Sequence, residues 1–179
     1  ANWTMEYQPD YIDRVMSRTA QLDPAPFRAF VEKCTQHSPW IWKDPRLWLT
    51  IRYWMQFLDK ENVFFLIIKR ESLQSWISVI LRRQIQTYSY LNKYYEGTNG
   101  SIMDSVNSLQ LPHLEILYED LLTAPEDVIR RINDKLGTAL TVEDLQAVFR
   151  GKLHKKQHGL FNFLKASAIY LKNYSIRYR

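Results

Sequence analysis

Arg70 and Ser78 stand eight residues apart, just after the apolar run Val63-Phe64-Phe65-Leu66-Ile67-Ile68. Arginine presents a planar fork of donors matched to phosphate oxygens, and a serine hydroxyl adds one more hydrogen bond. Between them Ser72 is a good helix cap, and Ser75 and Ser78 share one face of the helix it opens. The unpaired backbone N–H groups at such a helix start favour an anion. The same residues also read as an ordinary capped helix with one surface arginine. Two further polar clusters end apolar stretches: Lys43-Asp44-Pro45-Arg46, and Tyr118-Glu119-Asp120. Asp44 can cap the helix that Pro45 begins.

The elements that must position these residues follow from periodicity and punctuation. Asp10 caps a helix from Tyr11 to about Ala20, and Asp23-Pro24 opens one to about Gln36. Ser38 to Lys43 is short, aromatic and β-branched, which predicts a brief strand. A helix from Pro45 through Leu58 follows, with Leu47, Ile51, Trp54 and Leu58 at near-helical spacing. Val63 to Lys69 predicts a strand covered on both faces. Ser72 then opens a long helix to about Tyr95 that Gly97-Thr98-Asn99-Gly100 stops, and a weaker helix spans Ser101 to Gln110.

Leu114 to Tyr118 predicts a third strand, and Pro125 opens a helix that Gly137 terminates after Leu136. Thr141 and Asp144 form a capping-box-like start for a helix to Phe149, and Leu160 to Leu171 is helical. Strand alternating with helix predicts an α/β fold in a single domain over residues 1–179: a parallel sheet flanked by helices. In such sheets ligands bind beyond the carboxyl ends of the strands, where all three polar clusters fall.

Composition narrows the function classes. Over 179 residues, 46% hydrophobic and 24% charged content excludes long disorder and supports a real core. The longest apolar run is far too short for a membrane span. A single cysteine, Cys34, excludes an intramolecular disulfide and a multi-cysteine zinc site. His154 and His158 lack a nearby acid or cysteine partner, so no metal is expected. The first residues hold no basic-then-apolar signal, and a cytoplasmic location is expected. A net charge of +5 suits an anionic ligand, and it equally suits a plain solvated surface. Basic residues interleaved with aromatics from Lys165 to Arg179 make a nucleic-acid-binding domain the competing reading.

The order and spacing of these clusters resemble sulfotransferases that use 3′-phosphoadenosine 5′-phosphosulfate (PAPS). Arg70 to Ser78 resembles their 3′-phosphate motif. Trp42-Lys43-Asp44-Pro45-Arg46-Leu47 is similar to the Lys-Asp-Pro-Arg stretch of bacterial and carbohydrate-type members. Leu117-Tyr118-Glu119-Asp120-Leu121-Leu122, with Ala124-Pro125-Glu126 and Leu136-Gly137, is similar to their Tyr-Glu-Asp-Leu segment and the helix beyond it. The resemblance covers roughly residues 40–137. It implies a P-loop NTPase-like α/β fold and PAPS as co-substrate. The sulfuryl group would pass to a hydroxyl of a small-molecule, lipid or carbohydrate acceptor, with no metal, nucleic acid or membrane span.

Carried across, Arg70 and Ser78 hold the 3′-phosphate and Tyr118 lies near the adenine. Lys43 lies near the transferred sulfuryl group. Asp44 is the nearest proton acceptor, because Pro45 stands where several members have histidine. Arg150 and Lys152 are the nearest match to a late Arg-Lys-Gly loop, with glycine and lysine transposed. The family's glycine-containing phosphosulfate loop has no counterpart before Lys43, since the first of five glycines is Gly97. The chain thus resembles the family's middle and C-terminal parts without the first βα unit. A fragment, a shortened member or a non-catalytic nucleotide-binding relative would read this way.

Overall fold

The computed structural model describes residues 7–8, 10–149 and 158–174. The chain divides into two compact units, the first made of Ala1–Phe65 with Tyr94–Pro112, the second of Leu66–Lys93 with His113–Arg179.

The first unit is helical. It holds α1 (Tyr11–Thr19), α2 (Ala25–Thr35), α3 (Leu47–Trp54), a 3-10 turn (Lys60–Asn62) and the part of α5 (Tyr88–Ser108) from Tyr94 onward. Val31, Trp48, Ile51, Tyr53 and Val106 are buried here. The predicted strand from Ser38 to Lys43 is instead irregular chain. Pro39 has no N–H to donate to a ladder. Trp42 also leaves the backbone to join an aromatic cluster, meeting the ring of Trp54 edge-on at 4.5 Å and that of Phe30 at 6.2 Å. Edge-to-face rings add to plain burial, so the cluster wins over strand pairing.

Gly97 to Gly100 does not stop a helix, because α5 runs through all four residues. Packing accounts for this. A Cβ at Gly97 would overlap the ring of Tyr7, whose hydroxyl bonds Ser101 Oγ at 2.9 Å. Glycine here admits an aromatic ring against the helix backbone, a use of its missing side chain unrelated to turning the chain.

The second unit carries the sheet. Strands β1 (Phe65–Lys69) and β2 (His113–Leu117) are its two neighbours. Phe65 N donates to Pro112 O at 2.9 Å and Tyr118 N donates to Lys69 O at 2.8 Å, so start meets start and end meets end: the pair is parallel. Ile67 and Ile116 are buried, but Leu66 and Ile68 on the other face of β1 are 42% and 56% exposed. The expected covering of both faces is thus realised on one face only.

The predicted single helix from Ser72 to Tyr95 is two. α4 (Ser72–Leu81) ends where Arg83 takes a left-handed φ of 62°, and α5 restarts with Thr87 Oγ1 accepting from Tyr90 N at 3.1 Å. Trp76 Nε1 donates to Gln86 O at 3.0 Å and draws the connection back onto α4. Beyond β2 come α6 (Asp120–Thr123), α7 (Pro125–Leu136), α8 (Val142–Phe149) and α9 (Leu160–Lys172). Gly137 ends α7 at φ 63°, where its freedom in the left-handed region is needed, and Val128, Ile129 and Ile132 bury the inner face. Thr141 and Asp144 form the reciprocal box: Thr141 N donates to Asp144 Oδ2 at 2.9 Å and Asp144 N to Thr141 Oγ1 at 3.2 Å.

Candidate functional site

In the second unit, Arg70 leaves the carboxyl end of β1 and Glu119 follows the carboxyl end of β2 by two residues. Parallel pairing sets these two lips side by side. Arg70 Nε lies 3.4 Å from Glu119 Oε1, and the guanidinium carbon lies 5.2 Å from the centroid of the Tyr118 ring. Glu119 is only 4% exposed. Its second oxygen accepts from Glu71 N at 3.2 Å, at the residue capping α4. A tertiary carboxylate thus occupies the anion-seeking start of α4, the role a phosphate would take.

Arg70 Nε and Glu119 Oε1 are both buried, and neither has a hydrogen-bond partner among the described residues. The pair is held by charge and by the cation–π contact with Tyr118, without a well-formed hydrogen bond. Ser75 Oγ, one turn into α4, is likewise buried and unpartnered.

Ser78 lies six residues beyond Ser72, about 9 Å along the helix axis. It is 6% exposed, and its hydroxyl accepts from Arg82 Nη2 at 3.2 Å while Arg82 Nε donates to Ser78 O at 3.1 Å. Arg70 and Ser78, predicted to share one anion, therefore have separate partners. Tyr118 extends the β-ladder through its bond to Lys69 O, and its ring lies under Arg70.

Gln74, in the first turn of α4, is buried and gripped at both ends. Its amide donates to His158 O at 3.2 Å and accepts from His158 N at 2.7 Å. His158, which closes the basic stretch of sequence beginning at Arg150, is thereby fastened to the end of α4 that carries Glu71. Arg150 and Lys152 themselves lie outside the described residues.

Lys43 and Asp44 belong to the first unit. Lys43 is exposed. The Asp44 carboxylate accepts from Arg46 N at 2.9 Å, Arg46 Nε at 2.9 Å and Arg46 Nη2 at 3.0 Å. The Arg46 hydrogen bonds hold its carboxyl below the usual aspartate range, although partial burial pulls the other way. A carboxylate so satisfied is a poor proton acceptor and a good local tie at the start of α3.

Sequence reasoning missed Glu119 as the partner of Arg70. The signal was present, since two adjacent parallel strands ended in residues of opposite charge. Two surface clefts, of ≈ 520 Å³ beside Lys60 and Gln110 and of ≈ 250 Å³ beside Arg28 and Glu32, contain none of the residues above. Among the described residues no group of three His, Cys, Asp or Glu is arranged to hold a metal ion, and no helix is long and apolar enough to cross a membrane. No protein-family model, curated protein or solved structure matches the chain.

Proposed function

We propose that this chain is a sulfotransferase-like domain of P-loop-type α/β architecture. In this reading it binds the adenosine 3′-phosphate end of PAPS at the Arg70 lip and serves sulfuryl transfer to an acceptor hydroxyl. One observation carries the reading: Arg70 stands at the carboxyl end of a parallel strand, over the Tyr118 ring, where α4 begins. A guanidinium, an aromatic face and a helix start are the features that a nucleoside phosphate engages. Glu119 neutralises Arg70 in the unliganded chain, so an incoming phosphate competes with that carboxylate. Contact with Ser78 would require its hydroxyl to exchange Arg82 for phosphate.

Asp44 is assigned no proton, because Arg46 already holds it. A second reading, a nucleotide binder without transfer, is favoured by the Arg46 hydrogen bonds that leave the Asp44 carboxylate a poor proton acceptor.

Adenosine 3′,5′-bisphosphate at ~1 mM is expected to raise the melting temperature, because a ligand of the native state stabilises it. Arg70→Ala should weaken that binding by about 1.5–3 kcal/mol. An absent shift, or an affinity indifferent to Arg70→Ala, would overturn the nucleotide reading. Binding with no transfer of labelled sulfate to any hydroxyl acceptor would select the second reading.

A further inference from the structure

We infer that α9 is an interfacial helix that docks on an anionic lipid surface, independently of the Arg70 site. Its inner face packs on α4 in the second unit: Ala166 is fully buried, and Phe163 and Tyr170 meet the ring of Trp76 at 6.4 and 5.8 Å. The roughly opposite face carries Leu160, Leu164, Ala168 and Leu171, a four-, four- and three-residue stagger that lines one side of a helix with 3.6 residues per turn. Phe161 borders it. Leu160, Phe161, Leu164 and Leu171 are 73%, 77%, 56% and 70% exposed. Four large apolar side chains held this far into water on one short helix form a patch that calls for an apolar partner.

Charge selects that partner. Among the described residues 158–174 there are two lysines, Lys165 and Lys172, and no Asp or Glu. Lys165 and Lys172, seven residues apart, project from the same edge of the stripe and suit anionic head groups, with their stems along the apolar surface. A nucleic acid would satisfy the lysines but offers no apolar medium for leucine. A second copy would cover the leucines but bring like charges together. An anionic bilayer surface satisfies both. At 13 residues the helix is about 20 Å long, too short to span a hydrocarbon core of about 30 Å, so it lies in the plane of the interface.

Co-sedimentation of the full chain with lipid vesicles tests this. Binding to phosphatidylcholine vesicles containing about 30 mol% phosphatidylserine should exceed binding to pure phosphatidylcholine at least about tenfold, and should fall as salt is added. Phe161→Ser with Leu164→Ser should reduce it by a further factor of about ten. Both positions face water, so the melting temperature should hold. If it does not, Leu171→Ser at the far end of the stripe provides the same test. The proposal is overturned by a chain that stays in the supernatant with either vesicle, or by binding that the stripe substitutions leave unchanged. It is equally overturned if a single-stranded oligonucleotide displaces the chain from vesicles, or if a lipid-free dimer disappears with the same substitutions.

Discussion

Removing the charge of Glu119 probes the lip of the sheet directly. At an effective dielectric of about 20, unit charges at the observed separation of 3.4 Å attract by about 5 kcal/mol. Desolvation of a carboxylate that is 4% exposed consumes several kcal/mol of this. The arginine side chain keeps 26% of its surface in water, and the contact lacks hydrogen-bond geometry, so the net coupling should be about 1–2 kcal/mol. Glu119→Gln retains an oxygen for the Glu71 N–H and removes only the charge. Urea unfolding of the parent, Glu119→Gln, Arg70→Met and the double variant gives the coupling from the cycle. A value below about 0.5 kcal/mol would refute the ion-pair account, since that is the additivity expected of independent sites. Because the carboxylate competes for Arg70, Glu119→Gln is also expected to tighten adenosine 3′,5′-bisphosphate binding by about tenfold, or 1.4 kcal/mol. A weaker complex would show that Glu119 orients the arginine for the ligand instead of blocking it.

Three other outcomes are expected. The Asp44 carboxyl is depressed in the folded state, so its stabilising contribution is present at and above about pH 5 and is lost as pH falls through and below the ordinary aspartate value. Asp44→Asn should flatten that acid limb in a melting-temperature profile and leave any labelled sulfate transfer in place; abolished transfer would make Asp44 an obligatory base. Gly97→Ala should destabilise by about 1–3 kcal/mol, because its methyl meets the Tyr7 ring, while in a Tyr7→Ala background the same change should stabilise by about 1 kcal/mol. An equal effect in both backgrounds, read by chemical denaturation, would remove the ring from the explanation. Arg83→Gly should raise stability by up to about 1 kcal/mol and Gly137→Ala should lower it by a similar amount, since both residues adopt left-handed φ. Opposite signs in thermal melts would contradict the turn assignments.

Much of the fold was legible where local chemistry and packing agree. The Pro125 start, the Gly137 stop and the Thr141–Asp144 box rest on neighbours within a few residues, and each appears in the structure. So does the α/β class, through two apolar runs that pair in parallel. Legibility failed where a distant ring decided the matter. Gly97 signals a turn in isolation, but Tyr7, ninety residues away in sequence, makes it a packing site. Trp42 suits a strand by type, yet Trp54 and Phe30 take it. At the candidate site the sequence located the lip and its arginine, because strand ends are readable. It could not report that Glu119 and Arg82 had already claimed the groups offered to a phosphate, since partner choice among nearby charges depends on distances that spacing does not contain.

The Gln74–His158 clasp joins residues 84 positions apart. Closing so long a loop carries an entropic cost that only the finished α4 surface repays, so α9 should join late in folding and depart first on partial opening. In amide hydrogen exchange the backbone of α9 should therefore exchange through a sub-global event, ahead of β2 and α7, and the two clasp hydrogen bonds would set how far ahead.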